Sequence, residues 1–320
     1  MDEQRLLALL MSGARSAAAL AEDLAMPLDR VLASLQALSA AGIAQHTADD
    51  RWQLLQVPDL HDTQRIAQGL SPAVRALLGE LQVCWQLDST NSELLRRTPP
   101  ASGVAVLLAE RQDGGRGRRG RVWTSPLARH VYLSLACRFD HGIRAMAGLS
   151  LVVGVLAGEA LRGAGLQGVG IKWPNDLLLE GRKLGGILVE SRGSAQGAAL
   201  AVIGIGINVH GAPPGHPDID QPWTSIDRHC PALASRDRVV QLLLESLLPG
   251  LLLFQRQGLP AFLERYAALD VLAGVPVWIE ENGQRHAAQA LGLAADGALR
   301  VVDHHGERRL HAGDVSVRKQ

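Results

Sequence analysis

Gly114-Gly115-Arg116-Gly117-Arg118-Arg119-Gly120-Arg121 is the stretch whose reading decides the fold. From Arg111 to Arg121 the chain carries five arginines against one carboxylate, Asp113. The local balance is 5 − 1 = +4, in a protein of formal net charge +0. Arginine presents forked donors that match carboxylate and phosphate oxygens, and glycine lets backbone N–H groups approach a ligand. Three architectures compete for this segment. Gly115 to Gly120 spells G-x-G-x-x-G, a dinucleotide turn, which must follow a strand and open a helix. Val104-Ala105-Val106-Leu107-Leu108 supplies the strand, but Val122-Trp123-Thr124-Ser125-Pro126 is strand-like and ends in proline, so no helix opens. A flexible Arg/Gly nucleic-acid tail belongs in a terminal or low-complexity region, and core-like apolar runs flank this one. What remains is a mobile loop between two strands that closes over a small anion, or in its bland form a solvated basic loop.

The rest of the chain is that of an ordinary soluble protein of two or three domains, 320 residues long and 47% hydrophobic. Met1-Asp2-Glu3 is acidic where a signal peptide is basic. The longest apolar stretch, Met146 to Leu161, carries Ser150 and Glu159 and is too short to span a bilayer, which points to a cytoplasmic protein without a membrane partner. Cys84, Cys137 and Cys230 are odd in number and far apart, so they read as free thiols, and no protein metal site is visible.

Residues 1–62 form a separate unit. Apolar residues recur at helical spacing in Leu6, Leu7, Leu9 and Leu10, in Ala18, Ala19, Leu20 and Leu24, and in Val31, Leu32, Leu35 and Leu38, with Gly42 as a stop. A strand-like segment with a polar Asp49-Asp50 tip completes the outline of a winged helix-turn-helix. A polar linker helix is expected over 63–80. Residues 81–270 alternate strands (104–109, 131–138, 171–173, 186–191, 200–207) with helices (92–97, 144–164, 236–257, 260–269), as one mixed α/β domain. In 271–320, Glu281-Asn282-Gly283, Asp296-Gly297 and His305-Gly306 mark turns between short strands, which suggests a small SH3-like β-barrel. The fold class is therefore multidomain α+β.

Four further segments share chemistry with the arginine loop. Asp88-Ser89-Thr90-Asn91 offers small hydroxyl and amide groups. Lys172-Trp173-Pro174-Asn175-Asp176 packs a cation, an amide and a carboxylate into five positions. Lys183-Leu184-Gly185-Gly186-Ile187-Leu188-Val189-Glu190 sets an amine before an apolar strand. Gly204-Ile205-Gly206-Ile207-Asn208 alternates glycine with β-branched residues, leaving room on one strand face for something flat. Each alone has a structural reading: a turn, a solvated lysine, close helix packing. In this order, over essentially the entire chain, they resemble the biotin protein ligases of the bifunctional ligase/repressor type.

The resemblance implies a winged helix, a class II synthetase-like ligase core and an SH3-like cap. It implies that biotin's carboxylate attacks the α-phosphate of Mg²⁺·ATP, and that a lysine of a biotin carboxyl carrier protein domain then attacks biotinyl-5′-AMP. Lys183, Arg116 and Arg118 would hold the carboxylate and α-phosphate, with Lys172 supporting phosphate or intermediate binding. Asp176 would be a metal-linked carboxylate or the base for the acceptor lysine. Ser89, Thr90, Asn91 and Gln112 would meet the ureido ring, with Gly115, Trp123, Gly186, Gly204 and Gly206 shaping the biotin pocket. Arg119, Arg121, Asn175, Asn208, Trp223 and Arg318 would fall on the nucleotide side. The lipoate-protein ligases share the core, but the arginine loop and the Lys172–Asp176 segment argue against them; intact Lys183 and Asn175 argue against a sensor without catalysis.

Repressor function implies operator DNA and a ligand-promoted homodimer. Here the residues give less support: residues 1–60 hold four arginines and eight carboxylates, 4 − 8 = −4, where DNA binding draws on cations. The recognition helix, Leu28 to Ala40, offers Arg30, Ser34 and Gln36 as readers. A helical unit that only supports the ligase or dimerisation stays open, and dimerisation itself would double the DNA contacts.

Overall fold

The computed structural model describes residues 2–194, 197–211, 222–281, 284–312 and 315–319. Three helices, α1 (Asp2–Met11), α2 (Ala17–Leu24) and α3 (Leu28–Ala40), precede a hairpin of β1 (Ala44–His46) and β2 (Trp52–Leu54). Ser16 caps α2 by accepting from the Ala19 N–H. At the end of α3 the Ile43 N–H reaches the Leu38 carbonyl and the Gly42 N–H the Ser39 carbonyl. Gly42 has φ +70°, so glycine is the residue this cap requires. Leu7, Leu20, Leu35, Leu38 and Trp52 form the unit's core, which Leu127 and Ala128 of the central domain join. Trp85 Nε1 donates to Glu3 across the same junction at 3.0 Å. On α3, Arg30 and Gln36 are exposed and Ser34 is half-buried.

The linker departs from the expected helix over 63–80. It makes α4 (Thr63–Gln68) and α5 (Pro72–Arg75), then enters β3 (Leu78–Leu87). Gly69 caps α4 and Pro72 lacks the N–H that a continuing helix needs. After β3 come α6 (Thr90–Arg96), β4 (Val104–Gln112), β5 (Val131–Phe139), α7 (Leu149–Gly163), β6 (Val169–Lys172), β7 (Asp176–Leu179), β8 (Arg182–Gly193), β9 (Ala199–Ile207), α8 (Arg236–Gln257) and α9 (Leu263–Ala267). The seven strands order as β3-β4-β5-β9-β8-β7-β6, with only β3 and β4 parallel.

Two expected helices are shorter than their apolar runs. Gly148, at φ +81°, separates a 3-10 turn, Ile143–Met146, from α7. Around 260–269 the chain makes a 3-10 turn, Leu259–Phe262, before α9. Ile143–Gly163 spans 21 residues, with an 18-residue window of mean hydropathy 1.5, and so by length and composition alone is apolar enough to cross a membrane. In the fold α7 is a core helix: ten of its fifteen residues are buried, and it packs with α8 against the sheet. Of the cysteines, all free, Cys137 is buried and its thiol is pushed up to about 12 by desolvation.

The sheet's two faces differ. Leu108, Leu133, Ile203 and Ile205 face α7 and α8, whereas Ala105, Leu107, Ala136, Leu200 and Val202 face α6. The part of that second face that α6 does not cover becomes the site. At the C-terminus, β10 (Pro276–Glu281), β11 (Gln284–Leu293), β12 (Leu299–Asp303), β13 (Gly306–Leu310) and β14 (Val315–Lys319) form an antiparallel sheet ordered β13-β12-β11-β10-β14. Asn282 and Gly283 lie outside the described residues, but Glu281 pairs with Gln284 on either side of them. Among the described residues β13 and β14 do not pair, so this sheet is open where a closed barrel was expected.

Candidate active site

The cleft floor follows from strand register. Tyr132 on β5 lies opposite Gly206 on β9, and Ser134 opposite Gly204; Gly206 and Gly204 pair in turn with Gly186 and Leu188 of β8. Strand alternation puts these residues on one face. Missing side chains make the room: a Cβ on Gly206 would sit 2.5 Å from the Trp123 ring, and one on Gly204 2.6 Å from Asn91 Oδ1. Gly115 serves closeness too, since a Cβ there would lie 2.4 Å from the Trp123 carbonyl.

One wall is a polar network at the start of α6, where Ser89 is the N-cap. The Thr90 N–H donates to Gln112 Oε1 at 2.9 Å, and Gln112 Nε2 donates to Ser125 Oγ at 3.1 Å. Ser134, fully buried, meets Thr90 Oγ1 at 2.7 Å and Asn91 Oδ1 at 2.6 Å. Asn91 Nδ2 donates to Glu190 at 2.9 Å. Buried hydroxyls and amides that satisfy one another hold fixed orientations, which suits reading a small polar head.

Cations line the same cavity. Lys183 Nζ lies 2.8 Å from Asp176 Oδ1 and 5.5 Å from the Trp123 ring centroid. The arginine segment joins β4 to β5, as the strand–loop–strand reading requires. Arg116 pairs with Glu190 at 2.8 Å, and Arg118 donates to the Ala312 carbonyl of the C-terminal domain. Desolvation and then Arg119 push the Arg118 guanidinium's pKa down, yet an arginine stays charged. Arg119 adopts φ +57° in a 3-10 turn, Arg118–Gly120, within this loop.

The remaining wall carries Trp223. Its backbone bridges Lys183, and the Arg228 guanidinium lies 5.4 Å from its ring. Asn208 Nδ2 donates to the carbonyls of Lys183 (3.3 Å) and Thr224 (3.1 Å); Asn175 Nδ2 donates to Ile187 (2.9 Å). Both amides thus clamp backbone at the cleft. The Trp173-Pro174 bond is cis in the β6–β7 turn, and Trp173 Nε1 donates to the Gly297 carbonyl of the C-terminal domain.

One cavity of about 160 Å³ collects Ser89, Thr90, Asn91, Gln112, Arg116, Arg118, Arg121, Trp123, Asn175, Asp176, Lys183, Gly186, Gly204, Gly206, Asn208 and Trp223. Gly115, Arg119 and Lys172 do not line it; Lys172 sits opposite Asp176 in the β6–β7 register. Arg318 is on β14, and its side chain lies outside the described residues. Sequence reasoning missed Tyr132, Leu188 and His130, which also line the cavity. Tyr132 and Ser134 had a signal, polar groups alternating along an apolar strand; His130 had none. Among the described residues no three His, Cys, Asp or Glu converge as metal ligands.

A glycine floor, a polar network at α6 and the cations Lys183, Arg116 and Arg118 in one cavity suit a ligase that activates a carboxylate. Residues 83–208 match the family described as the biotin/lipoate A/B protein ligases. Over 98% of this chain and 96% of its own length, the bifunctional ligase/repressor BirA of Escherichia coli is 34% identical. The biotin–[acetyl-CoA-carboxylase] ligase of Mycobacterium tuberculosis is 33% identical over 74% of this chain and 85% of its own. In fold, the chain matches a structure of the Aquifex aeolicus biotin protein ligase in complex with biotin and ATP (TM-score 0.64, 24% identity, 75% of this chain and 99% of that one). The chain belongs to the biotin protein ligases, of the bifunctional ligase/repressor type.

Proposed function

We propose that this chain, a cytoplasmic enzyme, activates biotin with Mg²⁺·ATP and transfers it to a lysine of a biotin carboxyl carrier protein. In the first step a biotin carboxylate oxygen bonds to the α-phosphorus, and the bond to the bridging oxygen breaks, releasing pyrophosphate. In the second, the carrier lysine's amine attacks the anhydride carbonyl, AMP leaves, and the amine gives up a proton. What supports this most is Lys183, an amine set beside Asp176 and above Trp123 in the cavity that also holds the arginines. Two anions must meet there, so fixed cations lower the barrier.

Ser89, Thr90, Asn91 and Gln112 hold the ureido ring; Gly186, Gly204, Gly206 and Trp123 hold biotin's apolar part, with Gly115 letting the loop lie close. Lys183, Arg116 and Arg118 hold the carboxylate and α-phosphate. Arg119, Arg121, Asn175, Asn208 and Trp223 serve the nucleotide, with Arg318 reaching it from the cap, and Lys172 supports phosphate or intermediate binding. Asp176 is the carboxylate that takes the acceptor's proton. It is ion-paired with Lys183, and Mg²⁺ enters with ATP as substrate. The test is purified chain with biotin, Mg²⁺·ATP and apo carrier domain. Pyrophosphate should appear before the carrier is added, and biotin should end on the carrier lysine. Transfer of lipoate instead, or no pyrophosphate, refutes the reading.

We further propose a biotin-responsive repressor, in which the three-helix unit and its hairpin are a winged helix-turn-helix, the C-terminal sheet is an SH3-like cap, and ligand promotes a homodimer. Arg30 and Gln36, exposed on α3, favour this reading. Against a net −4 N-terminal unit, binding depends on two half-sites. A gel shift on the biotin-gene promoter, with and without biotinyl-AMP, tests it; no specific band at micromolar protein overturns it.

A further inference from the structure

His130 stands in the cavity beside Trp223 and has no part in the steps above. It immediately precedes β5 and is 5% exposed. Its ring meets the Trp223 indole edge-on, centroids 6.3 Å apart at 72°, and the Tyr132 ring likewise at 6.2 Å and 80°. The main chain here is held from both sides. The His130 carbonyl accepts from Arg236 Nε at 2.8 Å, and the Arg129 carbonyl accepts from the His210 N–H at 3.0 Å. Arg236 is fully buried and is itself fixed by Glu110 at 2.5 Å and the Asp59 carbonyl at 2.6 Å. The imidazole therefore has a rigid seat.

That seat leaves the ring chemically unsatisfied. Nδ1 is buried without a hydrogen-bond partner. Burial first, and the Arg236 guanidinium second, bring the imidazole down to about 3, the Arg129 backbone opposing them weakly. The ring is therefore neutral, with one N–H directed at the Arg129 backbone and one bare nitrogen as an acceptor. An uncharged ring is also what a wall shared with Arg118 and Arg121 tolerates. The polar network at α6 supplies the groups that suit an acid's head; His130 lies instead on the wall of Trp223, where a flat base would stack.

We infer that His130 is a base-recognition residue: it sets Trp223 edge-on as a wall for the purine and pairs with the purine's edge, so that it governs ATP affinity and base selectivity and leaves biotin affinity alone. This rests on the nucleotide half of the proposed function.

The test uses the full chain with His130→Ala and His130→Phe, the second keeping the edge contact with Trp223. The readouts are KM for ATP and for GTP in biotin-dependent pyrophosphate exchange, titration of a non-hydrolysable ATP analogue onto biotin-saturated protein, and biotin affinity without nucleotide. His130→Ala should raise the ATP KM about tenfold, the scale of one lost contact, and shrink the preference for ATP over GTP. His130→Phe should keep kcat and thermal stability but still lose that preference. Biotin affinity should stay within about twofold in both. An unchanged ATP KM in His130→Ala overturns the inference, as does a biotin affinity that falls more than the ATP affinity. Full recovery of base preference in His130→Phe also overturns it, leaving packing as the role. Absence of exchange in the wild-type chain is a different result, which removes the ligase reading itself.

Discussion

Lys183→Ala is the substitution that bears most directly on the mechanism. Lys183 Nζ and Asp176 Oδ1 are 2.8 Å apart, and their side chains are only 14% and 16% exposed. The substitution therefore does two things. It removes one donor from the point where carboxylate meets phosphate, a loss of about 10²–10³-fold in rate, or about 2.7–4 kcal/mol. It also strips Asp176 of its partner, so that an unpaired carboxylate faces an incoming polyphosphate in a partly desolvated cleft. A close like-charge term in such a setting is worth about 1–2 kcal/mol of coupling, or about 5–30-fold. The combined variant Lys183→Ala/Asp176→Asn should then be about 5–30-fold faster than Lys183→Ala in adenylate formation, although it lacks one more charged group. Single-turnover pyrophosphate release, read before any carrier is present, isolates this step from transfer. A Lys183→Ala rate near that of the wild type would remove Lys183 from the chemistry. A double variant slower than Lys183→Ala would refute the repulsion argument and give Asp176 a direct role in the first step.

Gly206→Ala drives a methyl to within 2.5 Å of the Trp123 ring and should weaken biotin binding at least about tenfold by calorimetry, while the strand itself, having ordinary φ, keeps its melting temperature. Arg118→Ala cuts the tie between the arginine loop and the Ala312 carbonyl, and biotinyl-AMP should dissociate about tenfold faster; an unchanged off-rate would show that the loop is no lid. Acid should destabilise the fold through its buried histidines. His130, at about 3, and His61 are both held below their unfolded value, foremost by burial. The unfolded chain therefore binds more protons below about pH 6.5, stability is complete above that pH, and it falls on acidification toward the folded pKa by up to about 1.4 kcal/mol per pH unit per histidine. Urea midpoints at pH 7 and pH 5 measure the slope, and His130→Phe should flatten it; an equal slope in that variant would remove His130 as its source.

Local pattern carried much of the architecture. The 236–257 helix matches α8, and strands over 131–138 and 200–207 differ from β5 and β9 by one residue at most. Those elements are continuous apolar runs bounded by turn residues, and their signal is in the chain itself. The expected 63–80 helix breaks at Gly69 and Pro72, and its last residues join β3, a strand through parallel pairing with β4 partners 25 or 26 residues away that no local period announces. β7 was missed for a related reason: Asp176-Leu177-Leu178-Leu179 is too short to alternate legibly and exists by pairing with β6 and β8.

The chemistry on offer is legible along the chain: an arginine loop between strands, a lysine ahead of an apolar strand, glycines alternating with β-branched residues. Those are properties of residue type and spacing. Which of them meet was decided by the tertiary fold. Register across β5, β9 and β8 brings Ser134, Gly204 and Leu188 into line, and so opens the floor over which Trp123 and Lys183 stand. Lys172, the register partner of Asp176, does not line the cavity, whereas Asp176 does. His130, unmarked in the sequence, becomes part of the site because Arg236, more than a hundred residues on, fixes its carbonyl from below. Distance along the chain does not set distance in space once a sheet is paired, so contacts of this kind belong to the fold alone.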